Sequence, residues 1–245
     1  MDSLSILTVW LAALVTSTLS GVLGMGGGVI LMLVLLTQMP VPQAMVLHGI
    51  VQFAANGTRA VTHRHHVWWR SVGWYSLGAG LAVTGLMMVK WLPDKRMVYL
   101  MGGVLPLLQF LPIKRLQLDI ARTGQALVCG GLMTVGQVAA GAAGPLLDAF
   151  FTQFDRGRYG ILATKSATQV VAHSVKVAYF LSFGAALGNS FEGAGCIGGA
   201  ALMAVIGTGL GSKLLERISD RNFARFSRGV LIVLSVYSFV KVAQG

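Results

Sequence analysis

The residues GMGGG, from Gly24 to Gly28, interrupt an apolar run that extends from Leu4 to Gln38. This run is too long for one ordinary membrane-spanning helix, which needs about 20 apolar residues, and too short for two such helices with a loop. Because glycine adopts backbone conformations that end helices, the sequence predicts two helical pieces that meet at the break. These pieces are expected at about Leu4–Leu23 and Gly28–Thr37.

A second glycine break, GAAGP from Gly141 to Pro145, follows 117 residues after the first. Shifting the stretch 24–59 by that distance, without a gap, places Gln52 on Gln169 and Arg59 on Lys176. A repeated glycine break followed by a repeated polar pattern is typical of transporters built from two halves, which carry their site where the halves meet.

The composition places the chain among membrane proteins. It is 55% hydrophobic and 11% charged, with a mean hydropathy of +0.72, whereas a soluble domain averages about 25% charged residues. The net charge of +11 is expected to lie mainly in cytoplasmic loops that face anionic lipid, so the lipid bilayer is the expected partner and nucleic acid is not.

The predicted fold is an all-α polytopic membrane protein with two inverted repeats, each a broken or re-entrant helical segment plus three spanning helices. We expect a first transmembrane repeat at 1–112, a cytoplasmic linker at 113–122 and a second transmembrane repeat at 123–245. The further helices are expected at about Pro40–Thr62, Val72–Val89, Met97–Leu111, Tyr159–Phe183, Gly193–Leu214 and Asn222–Val242, and the second broken segment at Ala121–Gln153.

The inverted arrangement rests on loop charge. The loop after the first polar helix contains Arg64, Arg70 and three histidines. In the equivalent loop of the second half, the only charged residue is Glu192. Equivalent loops of opposite basic content belong on opposite sides of the membrane. The inverted arrangement places both termini outside and leaves four cations on the outer side: Lys90, Lys95, Arg96 and Lys241. The basic turn around Lys90 is therefore an exception to the rule that Lys and Arg collect in cytoplasmic loops.

A polar stripe follows each glycine break. Steps of three or four residues place its members on one helix face, and each charged member costs about 2.5–3.5 kcal/mol at the centre of a span. A whole stripe should therefore face a wet cavity or a polar partner. Snorkelling of Arg59, His63 and Lys165 to the interface and hydrogen bonding between helices are the alternatives. The first stripe is His48, Gln52, Asn56, Arg59 and His63, and the second is Lys165, Gln169, His173 and Lys176.

The glycine breaks are expected to form the other wall of the site. A half-helix that begins near Gly28 or Pro145 presents free backbone N–H groups and the positive end of its dipole, which suit an anion. Lysine side chains would add charge pairing, so the expected ligand is a small anion with several acceptor oxygens. The predicted substrate-binding residues are Gly26, Gly27, Gly28, His48, Gln52, Asn56, Arg59, Gly144, Lys165, Gln169, His173 and Lys176.

Asp148 lies one turn after Pro145. It could complement the helix start, carry a coupling proton, or balance Lys165 or Lys176; His48 and His173 could carry protons as well. No catalytic residue, cofactor or metal is expected. The histidines at 63, 65 and 66 lie in a basic loop without acids, and the glycine run lacks the Lys-Ser/Thr of a nucleotide loop.

The GMGGG break, its GAAGP counterpart, the basic loop after the first polar helix and the two-half layout resemble the TauE/SafE family of sulfite and organosulfonate exporters. The resemblance covers nearly the whole chain. It implies a multi-pass protein of the bacterial inner membrane that moves sulfite, sulfonates or related sulfur oxyanions. The sulfur chemistry follows from the resemblance alone.

Three function classes compete. A secondary transporter is the leading hypothesis; an anion channel, or a transporter of a small organic anion without sulfur, is the alternative. An intramembrane enzyme would need a catalytic pair deep in the bilayer, and the chain has few acids, mostly at loops. The exact substrate, the direction of transport, the coupling ion and a possible homo-oligomeric state are left open.

Overall fold

The computed structural model describes residues 3–23, 26–110, 117–185, 191–215 and 220–244, and the regular secondary structure in these ranges is helical, with no strand. The helices are α1 (Ser3–Leu23), α2 (Gly27–Gln38), α3 (Val41–Thr62), α4 (Trp69–Val89), α5 (Lys95–Leu107), α6 (Thr123–Ala140), α7 (Gly144–Ala149), α8 (Gly157–Ser182), α9 (Phe191–Leu215) and α10 (Asp220–Gln244). The expected all-helical fold is confirmed.

Local chemistry explains where several helices begin and end. Gly141 ends α6 with a φ of +74°, a left-handed conformation that favours glycine. The Asp94 carboxylate accepts a hydrogen bond from the Met97 N–H at 2.7 Å, so α5 begins two residues before the expected Met97. Helix α5 ends at Leu107, with a 3₁₀ turn at Leu108–Phe110; the expected end at Leu111 lies outside the described residues.

The two broken segments differ in length. The first has α1 and α2 close to their expected bounds, and Gly26 has a φ of +84° at the break. In the second, helix α7 covers only Gly144–Ala149, and turns follow it to Thr152 and Gln153. The expected half-helix after Pro145 is therefore shorter than its counterpart.

Helix packing follows a reciprocal pattern. Helix α1 packs mainly on α9, and α4 packs mainly on α6; α3 packs on α8, and α5 on α10. Suppose that α1 to α5 correspond in order to α6 to α10. The α1–α9 contact is then equivalent to the α6–α4 contact, while the α3–α8 and α5–α10 contacts are each equivalent to themselves. Glycines allow the close approach of α4 and α6, since a Cβ at Gly78 would lie 1.9 Å from the Leu127 carbonyl oxygen and a Cβ at Gly130 would lie 1.9 Å from that of Tyr75.

The outer surface of the bundle is apolar. Within the part of the chain that the structure describes, three segments are long and apolar enough to cross a membrane: Ser3–Ser20, Trp69–Val89 and Gly193–Leu214. Large hydrophobic side chains are exposed on several helices, Leu81 and Met88 of α4 among them. So much exposed apolar surface is unfavourable in water and favourable in the hydrocarbon core of a bilayer. The chain is therefore a membrane protein.

Candidate functional site

The two polar helices, α3 and α8, pack in antiparallel directions. A Cβ at Gly49, early in α3, would lie 2.4 Å from Val177 Cγ2, late in α8. Beyond the end of α3, the His63 ring lies 5.3 Å from the Tyr159 ring at the start of α8. Gly49 thus allows a close approach of the helices, and most members of the two stripes are buried.

Lys176 is the central cation of this crossing. Its side chain is fully buried, with 0% of its surface exposed. The Nζ group donates to the Gly141 carbonyl oxygen at 2.7 Å and lies 2.8 Å from His48 Nδ1. Gly141 closes α6, so the ammonium sits at the negative end of that helix dipole, where a cation is stabilised.

The partners of His48 define its tautomer. Nδ1 faces the Lys176 ammonium, which only donates, so Nδ1 accepts that hydrogen bond. Nε2 lies 2.8 Å from the Gly28 carbonyl oxygen, so Nε2 carries the proton and donates it there. A continuous chain of hydrogen bonds therefore joins the two glycine breaks. It runs from the Gly141 carbonyl group through Lys176 and His48 to the Gly28 carbonyl group.

Two further polar side chains surround this chain. The His173 ring lies 5.6 Å from the His48 ring, and its Nδ1 is buried with no hydrogen-bond partner among the described residues. The Gln52 Nε2 is likewise buried and unpartnered within the described part of the protein. This nitrogen lies 3.4 Å from where a Cβ of Gly28 would be. Unpaired buried donors and acceptors are costly, and they suit a polar ligand.

The remaining stripe residues lie along the same two helices. Asn56 donates to the Gln52 carbonyl oxygen at 2.9 Å, within its own helix. Arg59 is buried, and its Nη2 has no partner among the residues that the structure describes. Gln169 accepts a hydrogen bond from Gln137 of α6 at 3.1 Å.

Gln137 is a polar residue that the sequence reasoning missed. It is buried, and its Oε1 has no partner in the described ranges. Its position, four residues before the glycine that ends α6, was the available signal, because a buried amide in an apolar span needs a polar neighbour. The helix that precedes the second break thus joins the polar cluster.

Lys165 forms an ion pair with the Asp148 carboxylate of α7. Both side chains are mostly buried, with 22% and 20% of their surfaces exposed. Of the roles considered for Asp148, the structure shows one: its carboxylate balances the charge of Lys165. The ion pair also connects the short helix of the second break to α8.

The four glycines expected at the site have different surroundings. A Cβ at Gly27 would lie 2.1 Å from the Thr16 carbonyl oxygen, so Gly27 packs against α1. Gly26 lies near α10, with Val230 3.8 Å from its Cβ position, and Gly144 borders open space. Gly28 alone of these four has stripe residues, Gln52 and His48, beside its Cβ position. Gly26, at the N-cap of α2, has no side chain that could cap the first N–H groups of that helix.

The histidines after α3 lie apart from this cluster. The rings of His63 and His66 stack against Tyr159, with centroids 5.3 and 5.6 Å apart, and His65 is exposed. Within the described ranges, no group of three His, Cys, Asp or Glu residues is placed to hold a metal ion. Aromatic stacking at the end of the helix pair accounts for His63 and His66.

The electrostatics of the crossing favour a negative ligand. Helices α2, α3, α6 and α8 contain no Asp or Glu. Arg59 and Lys176 are buried cations in these helices, and the carboxylate of Asp148 is paired with Lys165. A buried cation without a carboxylate is unfavourable by several kcal/mol, so an anion would stabilise this cluster.

Comparison with known proteins identifies the family. The family model for the sulfite exporter TauE/SafE matches residues 9–238, nearly the whole chain. No curated protein and no solved structure matches it. The chain belongs to the TauE/SafE family, whose members are membrane transporters of sulfur-containing anions.

Proposed function

We propose that this member of the TauE/SafE family is a secondary transporter that moves sulfite or an organosulfonate across the bacterial inner membrane by alternating access. The observation that carries the proposal is the buried, carboxylate-free cluster at the α3–α8 crossing. It combines a fully buried ammonium with amide and imidazole groups that each have an atom without a hydrogen-bond partner among the described residues. Such groups suit a compact anion that has several acceptor oxygens.

The anion would bind between α2, α3 and α8. Gln52 and His173 have unpartnered nitrogen atoms among the described residues, and the uncapped first turn of α2 adds N–H groups and a positive dipole end. Lys176 supplies charge. The second break contributes a carbonyl oxygen, that of Gly141, where the first break contributes N–H groups. This oxygen accepts a hydrogen bond from Lys176 and positions that lysine.

Two observations support inverted repeats at 1–112 and 123–245, joined by a linker at 113–122. Helices α3 and α8, which would be equivalent, run antiparallel. The packing of α1 on α9 matches that of α6 on α4. Both are expected of halves related by an axis in the membrane plane. Movement of one half against the other would then open the site to each side in turn.

Transport is tested in proteoliposomes with radiolabelled sulfite and an organosulfonate. Gln169→Ala and Lys165→Ala should each strongly reduce flux, because the first removes the partner of Gln137 and the second leaves Asp148 without its lysine. Lys213→Ala, at an exposed position late in α9, is the matched control. Thermal melting separates loss of transport from loss of fold, and normal flux in both variants would remove these residues from the site.

The same vesicles distinguish the alternatives. A carrier shows saturable flux and accelerated exchange when unlabelled anion is present on the far side, whereas a channel shows neither. Competition by carboxylates and by sulfonates of equal size decides whether sulfur oxyanions are preferred. Stronger inhibition by the carboxylates would favour a transporter of small organic anions without sulfur.

A further inference from the structure

The Lys176–His48 pair links the two halves at the point where both glycine breaks meet. Lys176 belongs to α8 and binds the carbonyl group of Gly141 at 2.7 Å. His48 belongs to α3 and binds the carbonyl group of Gly28 at 2.8 Å. The ammonium and the imidazole are 2.8 Å apart. Two groups that can each hold a proton are therefore in direct contact, with a peptide carbonyl at either end.

Among the described residues, the hydrogen-bond partners of this pair include no carboxylate. His173 of α8 is a further titratable group beside it, with its ring 5.6 Å from the His48 ring. Helices α2 and α6 contribute peptide carbonyl groups and contain no Asp, Glu, Lys or Arg. An ammonium buried in this way has only dipoles to balance it, which is costly without an anion nearby.

The helices packed around α3 and α8 bring titratable groups of other kinds. Helix α4 buries Tyr75, α6 buries Cys129 and α9 buries Cys196. Helix α8 itself buries Tyr179, which donates to the carbonyl oxygen of Trp91. None of these groups is a carboxylate that could balance the ammonium.

The other two stripe cations are less suited to release a proton. Lys165 is balanced by the Asp148 carboxylate. Arg59 retains its charge under all ordinary conditions. Lys176 is thus the stripe cation that combines complete burial, the absence of a carboxylate partner and a proton that an amine can release.

The hydrogen bonds of Lys176 can survive this release. A neutral amine has two N–H groups, which match the two acceptors present, the Gly141 carbonyl oxygen and His48 Nδ1. In the release step the third N–H bond breaks, its electron pair stays on Nζ, and the proton passes to water. Alternatively, the N–H bond to His48 breaks and an Nδ1–H bond forms, which leaves the charge on the imidazole.

We propose that the Lys176–His48 pair binds the coupling proton, so that one proton and one anion occupy the site together and leave it together. This inference rests on the proposed transport function. When the anion is bound, the ammonium balances it. When the anion has left, the proton leaves too, and the empty site reorients without an unbalanced lysine. A monovalent anion is then carried without net movement of charge.

The first test uses unmodified protein in proteoliposomes and methanesulfonate, which stays monoanionic at all relevant pH values. At a clamped membrane potential, an inward proton gradient of one pH unit should sustain about a tenfold accumulation of the anion, because one pH unit equals about 1.4 kcal/mol. A membrane potential at equal pH should have no effect. Accumulation that follows the potential and ignores the pH gradient would overturn the proposal.

The second test uses Lys176→Arg, which keeps the positive charge and prevents its loss. Exchange of labelled for unlabelled anion never requires an empty site to reorient, so exchange should fall much less than net flux. Net flux does require it and should fall at least about tenfold, since an unbalanced buried cation is strongly disfavoured. Lys213→Arg is the matched control. Parallel loss of exchange and net flux in a folded variant would indicate that Lys176 only binds or positions, and would contradict proton coupling.

The two proposals fail in distinguishable ways. If unmodified protein exchanges neither methanesulfonate nor sulfite, the proposed function fails and the coupling fails with it. If exchange occurs but a pH gradient drives no accumulation, the coupling alone is wrong. If Lys176→Arg does not fold, the measurement on unmodified protein still decides the question.

Discussion

The ammonium of Lys176 lies 2.8 Å from the Nδ1 atom of His48, although the two residues are 128 positions apart in the chain. One belongs to α8 and the other to α3, and each also binds a peptide carbonyl group at a glycine break. This contact connects α3 and α8 with carbonyl groups at the α2 and α6 sides of the two breaks. We therefore expect it to contribute to stability and, in the proposed transport cycle, to transport.

Replacing His48 tests that connection. His48→Ala should reduce the free energy of unfolding by about 1.5–3 kcal/mol, because it removes an acceptor from a charged donor and a donor from the Gly28 carbonyl group. His48→Gln, which retains one donor and one acceptor, should lose less. Thermal melting in detergent measures both. Equal melting temperatures for His48→Ala and unmodified protein would show that the contact contributes nothing.

The close approach of α3 and α8 should depend on Gly49. In Gly49→Ala the new Cβ would lie 2.4 Å from Val177 Cγ2, so the helices must separate or the valine must move. Such overpacking costs about 1–3 kcal/mol, and we expect reduced flux together with a lower melting temperature. Gly57→Ala on the same helix is the control, because its Cβ would have no heavy atom within 4 Å. Equal behaviour of the two variants would contradict the tight crossing.

The ion pair between Lys165 and Asp148 can be tested by a double-mutant cycle. Asp148→Asn leaves a mostly buried lysine without its carboxylate, and Lys165→Gln does the converse. The double variant should be more stable than the sum of the single losses predicts, with an interaction energy of about 0.5–3 kcal/mol. Chemical or thermal denaturation of the four proteins measures this energy. Additive losses would mean that the two charges do not interact.

Replacing Gln137 tests whether the ligand carries a negative or a positive charge. Gln137→Glu places a negative charge beside Gln169, and a like charge should repel an anion in this buried cluster. The apparent KM for the transported anion should rise at least about tenfold, which corresponds to about 1.4 kcal/mol. Gln38→Glu, at an exposed position at the end of α2, should leave KM unchanged. A lower KM for Gln137→Glu would indicate a cationic ligand instead.

The class of protein and most helix positions followed from local properties of the chain. Apolar length and low charge predicted the membrane bundle, and the predicted break at Gly24–Gly28 agrees with α1 ending at Leu23 and α2 beginning at Gly27. The spacing of polar residues predicted which side chains share a face of α3 or α8. These features depend on helix periodicity and on the cost of placing polar groups in hydrocarbon, which act within a single segment.

Which residues meet across segments was decided by tertiary structure alone. The equivalence of the two halves aligned Arg59 with Lys176 and His48 with Lys165, but the antiparallel crossing brings Lys176 to His48. Packing also assigned Gly27 to α1 and Gln137 to the polar cluster. The physical reason is that a stripe in the sequence defines a face of one helix, while its partners depend on where glycines allow other helices to approach that face.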